Sequence, residues 1–155
     1  MNIFVTDTCP IKSAQALDNQ RLVKMVLETA QILSTALRSN GVDDPDLYRP
    51  THARHPCVIW AGRSEDNFSW VVRHGLALST EFYFRYGHNH RSRGVIFHAD
   101  ELTYLARFRD EGLTQFANCT PYKSEEIVAA YRRYMRTDKW TNNPSWGRRG
   151  PPEWR

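Results

Sequence analysis

Arg21, Lys24, Glu28 and Gln31 are the residues whose types and spacing suggest chemistry first. Offsets of three, seven and ten put all four on one side of a helix, within about 15 Å of rise. A carboxylate flanked by cations can stay ionised at neutral pH, and can then act as a base or stabilise a cationic intermediate. The competing reading is the solvated polar face that most amphipathic helices carry, and spacing alone favours it.

The C-terminal segment is a second candidate. Trp140, Trp146 and Trp154 interleave with Lys139, Arg148, Arg149 and Arg155. Indole faces stack on exposed bases, at about 1–3 kcal/mol per base, while the cations neutralise phosphates. Such a segment could equally be strapped over the domain's own core. Between Lys123 and Arg155 there are eight Lys/Arg against four acids, an excess equal to the whole net charge of +4. A pI of about 9.1 is basic without being extreme, so the placement of the charge says more than its total.

Histidines form a third group. His52 and His55 are three apart, His88 and His90 two apart, and His98 stands nearby. This is loop spacing without a cysteine or paired carboxylate to complete a zinc set, and there is no H-E-x-x-H, so no metal is expected. His55, before Pro56, reads as a capping or substrate-facing residue. His88 and His90, beside Arg91 and Arg93, read as a phosphate-facing loop. Cys9, Cys57 and Cys119 are odd in number, far apart and outside any C-x-x-C pair, which points to three reduced thiols. The chain has no G-x-x-x-x-G-K-[ST], G-x-G-x-x-G or G-x-S-x-G. Nucleoside triphosphate, dinucleotide and serine-hydrolase chemistry therefore lack a motif, and no cofactor is expected.

The elements that must position these groups follow from periodicity and punctuation. A length of 155 residues fits one domain, and 41% apolar with 25% charged residues is ordinary for a soluble protein. No apolar run approaches the roughly 18 residues that span a bilayer, and MNIFVTDTCP lacks the pattern of a secretory signal, so the cytoplasm and no membrane partner are expected. The fold class predicted is mainly α: a compact single-domain helical fold with two long helices, a short N-terminal arm and an irregular aromatic tail.

Residues 1–9 read as a brief strand or extended arm. Pro10 opens a short helix to about Leu17. Asp18 caps a long helix over about 19–39, closed by Asn40-Gly41, with Leu22, Met25, Val26, Thr29, Leu33, Ala36 and Leu37 on its core face. Residues 41–55 read as a loop, and Pro56–Ala61 as one or two turns ending at Gly62. Ser64 caps a second long helix running to Tyr86 and stopping at Gly87, central and mostly buried. Residues 88–99 read as a basic loop followed by a short strand or turn. A weaker helix is predicted over 100–110, and a last one, capped by Ser124, over 125–137. The stretch 138–155 is irregular, basic and Trp-rich, because its prolines and glycines forbid a regular helix.

The chain resembles a group of small phage and viral proteins that open MNIF, carry D-x-x-(H/R)-V-V-K-M-x-x-E-x-x-Q on a first long helix and end in an aromatic W…P-x-W tail. The matching residues are Met1 to Phe4, then Asp18, Arg21, Leu22, Val23, Lys24, Met25, Glu28 and Gln31, and finally Trp146, Pro152 and Trp154. More distantly it resembles the bacteriophage pyrimidine-dimer DNA glycosylase (endonuclease V) family. Leu17, Gln20, Leu22 and Glu28 fall on that family's first-helix pattern, Pro56, Val58 and Ile59 on its step into a second helix, and Tyr83, Arg85, Tyr86 and Gly87 on its close.

The resemblance implies a compact all-helical protein that attacks the anomeric carbon of a damaged nucleotide with an N-terminal α-amine and forms an imine. It also implies a helix carboxylate, which would be Glu28. An α-amine titrates at about 8, so a useful fraction is neutral and nucleophilic at pH 7. The family's nucleophile follows removal of the initiator methionine. Asn2 is bulky enough that Met1 is expected to stay, so the amine would belong to Met1, displaced by one residue, or the lyase step would be missing.

The expectation is a DNA-acting enzyme, a DNA glycosylase on damaged or modified pyrimidines, with or without lyase activity. Glu28, Met1 and Arg21 would be catalytic. Lys24, Gln31, His55, Arg85, His90, Arg91, Lys139, Trp140, Trp146, Arg148, Arg149 and Trp154 would contact DNA. Two alternatives stay open: a transferase or lyase that tailors a modified base in viral DNA, and a non-catalytic DNA-binding phage protein.

Overall fold

A computed structural model describes residues 1–155. The N-terminal arm is extended without pairing into a sheet, so its backbone polar groups must find other partners. Asn2 supplies one set: its Oδ1 accepts the N–H groups of Ile3 (2.8 Å) and Phe4 (3.1 Å). Phe4 turns the chain at φ +43°, and its carbonyl accepts from the Ser13 hydroxyl and from the Thr6 N–H. Ile3 and Val5 are fully buried by this turn. The arm is therefore a fixed part of the core, which gives Met1 a defined position.

Pro10, with its φ already helical, begins α1 (Pro10–Gln15), which packs on the second long helix. After the Leu17-Asp18 link comes α2 (Asn19–Ser39), with all seven core-face residues read from its periodicity buried. Asp18 occupies the N-cap position but does not cap. Its carboxylate is taken by the Arg21 guanidinium and the Trp140 indole N–H. Gly41, at φ +89°, turns the chain after Asn40.

The short α3 (Pro56–Ala61) starts on Pro56 and is capped by His55, whose Nδ1 accepts the Cys57 N–H. Ser64 then accepts the Asn67 N–H to open α4 (Glu65–Tyr86), and Gly87 closes it in the left-handed region at φ +77°. Phe68, Trp70, Val71, Val72, Leu78 and Phe82 are buried, but Tyr83, Phe84 and Tyr86 are exposed. Only the Phe82 and Arg85 side of the final turn is covered, so the expectation of a mostly buried helix fails there.

The loop-then-strand reading of 88–99 is corrected by α5 (Arg93–Glu101), which sets Ile96 and Ala99 against α2 and α4. The three helices meet at Gly75, where a Cβ would lie 2.8 Å from Thr29 Cγ2 and 3.2 Å from the Ile96 methyls. No helix spans 100–110. A single 3-10 turn, Thr103–Leu105, gives way to chain held by Arg107 N–H on the Asn40 carbonyl and Arg109 N–H on the Arg63 carbonyl. Glu126, not Ser124, caps α6 (Ile127–Tyr134), accepting the N–H groups of Val128 and Ala129. The helix then widens into a π turn over Met135–Lys139.

The tail is irregular apart from a 3-10 turn at Gly147–Arg149. No helix is long and apolar enough to cross a membrane. The architecture is mainly α, with two long helices, a short arm and an irregular aromatic tail.

Candidate active site

The buried arm and α2 together create the most chemically distinctive contact in the protein. The α-amine of Met1 lies 3.6 Å from Glu28 Oε2, and the Asn2 N–H donates to the same oxygen at 3.1 Å. The other carboxylate oxygen, Oε1, faces Lys24 Nζ at 3.4 Å, one helical turn back. Glu28 is only 8% exposed, whereas the Lys24 side chain is largely in solvent. A buried carboxylate between two amines is an arrangement that can accept a proton from one of them and oppose positive charge at a carbon bound in front of it.

These groups line a cavity of about 270 Å³. One wall is α2, from Gln20 and Arg21 through Lys24 and Met25 to Glu28, and the floor is Met1, Asn2 and Phe4. Tyr134 and Lys139, from the end of α6 and the π turn, form the far side, with Lys139 Nζ 4.7 Å from the centre of the Tyr134 ring. Arg21 is not free to swing. Its guanidinium grips both oxygens of Asp18 at 3.0 and 2.9 Å and donates to the Lys139 carbonyl. With Arg21 paired to Asp18, the cavity sets Met1, Lys24 and Lys139 as cations against Glu28 as its only carboxylate. That balance suits an anionic ligand such as a nucleic-acid phosphate.

Several residues read as DNA contacts are placed elsewhere. Arg85 is buried, with Nε on Glu81 (2.7 Å) and its other nitrogens on the Leu17 and Gln15 carbonyls and Asn19 Oδ1, so it has no group left for a phosphate. Trp140 and Trp146 are also buried and pack edge to face. Their N–H groups are satisfied by Asp18 Oδ1 and the Ala16 carbonyl. They are the tail's anchors rather than a platform for bases. Trp154 stacks on Trp140 at 5.1 Å and carries the Arg132 guanidinium over its ring. Arg149 pairs with Glu81, which raises its pKa. The exposed guanidinium groups of Arg91 and Arg148 make no ion pair or hydrogen bond.

His90 packs edge-on against Phe82, and burial lowers its pKa. Gln31 is half-buried and lies outside the cavity lining. His55 is outside the lining too, but it senses the site. Burial is the main cause of its lowered pKa; the Met1 ammonium and His52 add to it and Glu28 opposes it.

Asn2, Gln20 and Tyr134 belong to the cavity but did not stand out as site residues from the sequence. Gln20 was within reach of the spacing argument, because extending the α2 stripe back one turn from Lys24 meets it. The MNIF match includes Asn2 without giving it a role, which depends on the folded arm, and periodicity assigns Tyr134 only to the inner face of α6.

A family model described as pyrimidine dimer DNA glycosylase matches residues 1–94. No curated protein and no solved structure matches the chain. The matched stretch contains the arm, α2, α3 and α4, and so includes Met1, Glu28 and the α2 wall of the cavity. With well over half its length matched, this chain belongs to the pyrimidine dimer DNA glycosylase family.

Proposed function

We propose that this protein is a DNA glycosylase acting on pyrimidine lesions, with the Met1 α-amine as nucleophile and Glu28 as the catalytic carboxylate. The observation that carries the reading is their 3.6 Å approach on the floor of a small cationic cavity. At about 270 Å³ the cavity falls just below the usual range for small-ligand pockets, roughly 300–1,000 Å³, and suits one sugar-phosphate unit better than a pair of linked bases. The lesion's bases would then lie at the cavity mouth while the deoxyribose enters.

The chemistry follows from the positions. The neutral amine attacks C1′ of the damaged nucleotide as the C1′–N bond breaks. The electron pair of that bond goes to the base, which takes up a proton and, in a cyclobutane dimer, stays tethered to its neighbour. Glu28 stabilises the cationic sugar carbon and accepts the proton released by the new C–N bond. Ring opening then yields an imine between Met1 and C1′. Removal of a C2′ proton would expel the 3′ phosphate and cut the strand, which is the lyase half of the activity. Arg21, Lys24 and Lys139 would hold flanking phosphates, with Arg91 and Arg148 as more distant electrostatic contacts.

The experiment is glycosidic-bond cleavage in duplex DNA carrying one cyclobutane pyrimidine dimer, with undamaged duplex as control. It is read as strand breaks or alkali-labile sites, because the cleaved base stays tethered to its neighbour through the cyclobutane ring. The expected result is cleavage at the dimer that is lost in Glu28→Gln. Equal cleavage by the variant would remove Glu28 from the reaction.

A further inference from the structure

Cys57 and Cys119 are 62 residues apart in sequence, yet their Sγ atoms lie 3.4 Å from each other. A ring nitrogen of His55 joins them, so that three donor atoms lie within 4.8 Å of one another. The sequence reading expected no metal because nothing near His55 and Cys57 completed a ligand set. The fold brings a second cysteine to them from 62 residues further along the chain.

We propose that His55, Cys57 and Cys119 form a binding site for a zinc-class transition-metal ion. Thiolate sulfur with imidazole nitrogen is the donor set that selects such ions over magnesium or calcium. In a tetrahedral zinc site, bond lengths of about 2.3 Å to sulfur and 2.0–2.1 Å to nitrogen set donor atoms roughly 3.5–3.8 Å apart. The present Sγ–Sγ distance is close to that value and far longer than the roughly 2.05 Å of a disulfide.

Both sulfurs are held by their surroundings. Cys57 is buried in the first turn of α3. Cys119 donates its N–H to the hydroxyl of buried Tyr131, which in turn donates to the Ala117 carbonyl. Closing the site needs a movement of the His55 ring. That ring would exchange the hydrogen bond its Nδ1 now accepts from the Cys57 N–H for a bond to the ion.

The ion would have a structural role that the fold otherwise fills only in part. Residues 106–126 contain no helix or strand and are tied down by isolated contacts such as Thr114 with Asn67 and the Ser64 hydroxyl on the Gly112 carbonyl. A bond from Cys119 through the ion to α3 would staple that stretch to the matched part of the chain. Three protein donors leave a fourth position for water or a ligand. The site stands on its own donors and is independent of the amine chemistry proposed above.

The test uses the full chain, reduced and stripped of metal under anaerobic conditions, then titrated with cobalt(II). Expected are one equivalent bound, thiolate-to-cobalt charge-transfer absorption, the strong visible bands of a four-coordinate site, and displacement by zinc(II). Cys119→Ser should weaken cobalt binding by more than about 100-fold, beyond what loss of an outer-shell partner produces, while Cys9→Ser binds as the parent does. If Cys119→Ser fails to fold, the parent still decides: zinc(II) should slow maleimide labelling of half-buried Cys119 relative to the metal-free chain, leaving Cys9 reactive. No cobalt uptake, or no protection, overturns the proposal. A parent that takes up no metal but loses two thiols to mild oxidation also overturns it, and marks the pair as redox-active instead.

Discussion

The α-amine of Met1 stands 3.6 Å from Glu28 Oε2, an oxygen that also accepts the Asn2 N–H. The contact joins the first residue of the chain to the middle of its first long helix, and it lets one substitution test the proposed catalysis apart from folding. In Glu28→Gln the amide oxygen can still accept from Asn2, so the arm stays docked, but the negative charge is gone. Glycosidic-bond cleavage in dimer-containing duplex, read as alkali-labile sites, should fall by about 10²–10⁴-fold. DNA affinity, measured by fluorescence anisotropy, should stay near that of the parent.

Arg148 and the buried indoles of the tail should behave in opposite ways. Arg148 is exposed and unpartnered, so Arg148→Ala should leave the melting temperature unchanged. Its effect should appear as weaker DNA binding and a shallower salt dependence, by about 0.9 in the log–log slope for one lost phosphate contact. Trp146→Ala removes a side chain that is 3% exposed and should cost about 3–5 kcal/mol of stability in urea unfolding, with DNA binding lost only as the fold is lost.

His74 should make the protein acid-sensitive above the range where carboxylates titrate. It is fully buried, stacks on Trp70 and has Nδ1 on the Pro10 carbonyl, while Nε2 has no partner. Burial lowers its pKa to about 4. The unfolded value is about 6.5, so between these two values the unfolded chain binds the extra proton and stability falls as pH falls. The stability is fully present above about 6.5 and is lost progressively toward 4. Urea midpoints should show a His74 contribution of about 2 kcal/mol between pH 7 and pH 5. In His74→Phe, which keeps a ring against Trp70, that part of the pH dependence should disappear.

The sequence was most legible where local chemistry dictates geometry. Pro56, Ser64 and Gly87 mark the ends of α3 and α4 because each acts on the backbone next to it. It was least legible where a side chain had a choice of partners. Asp18 is a good capping residue by type, but the fold offers it Arg21 and the Trp140 indole, and it takes those. The helix α5 was hidden by Gly94 and flanking polar residues, and it forms because Ile96 and Ala99 close the α2–α4 junction over Gly75. Trp140 and Trp146 carry the composition of a base-stacking tail, and only the buried partners of their N–H groups reveal them as anchors. The α2 stripe was visible from spacing, whereas its pairing with Met1 was implied only by the family resemblance, because the turn of the arm depends on Asn2 and Ser13.

Glu28 has its partner in the Met1 amine only if that amine reacts, and borohydride trapping tests this most directly. The protein is incubated with duplex DNA carrying a pyrimidine dimer or an abasic site, in the presence of borohydride, and the adduct is mapped by peptide mass spectrometry. The expected result is a reduced covalent adduct on the N-terminal peptide, lost in Glu28→Gln. It should also be lost when one added residue displaces the amine by up to about 3.6 Å. Glycosidic-bond cleavage at the dimer without any adduct, or an adduct on a lysine such as Lys24 that survives the N-terminal extension, would contradict a Met1 nucleophile.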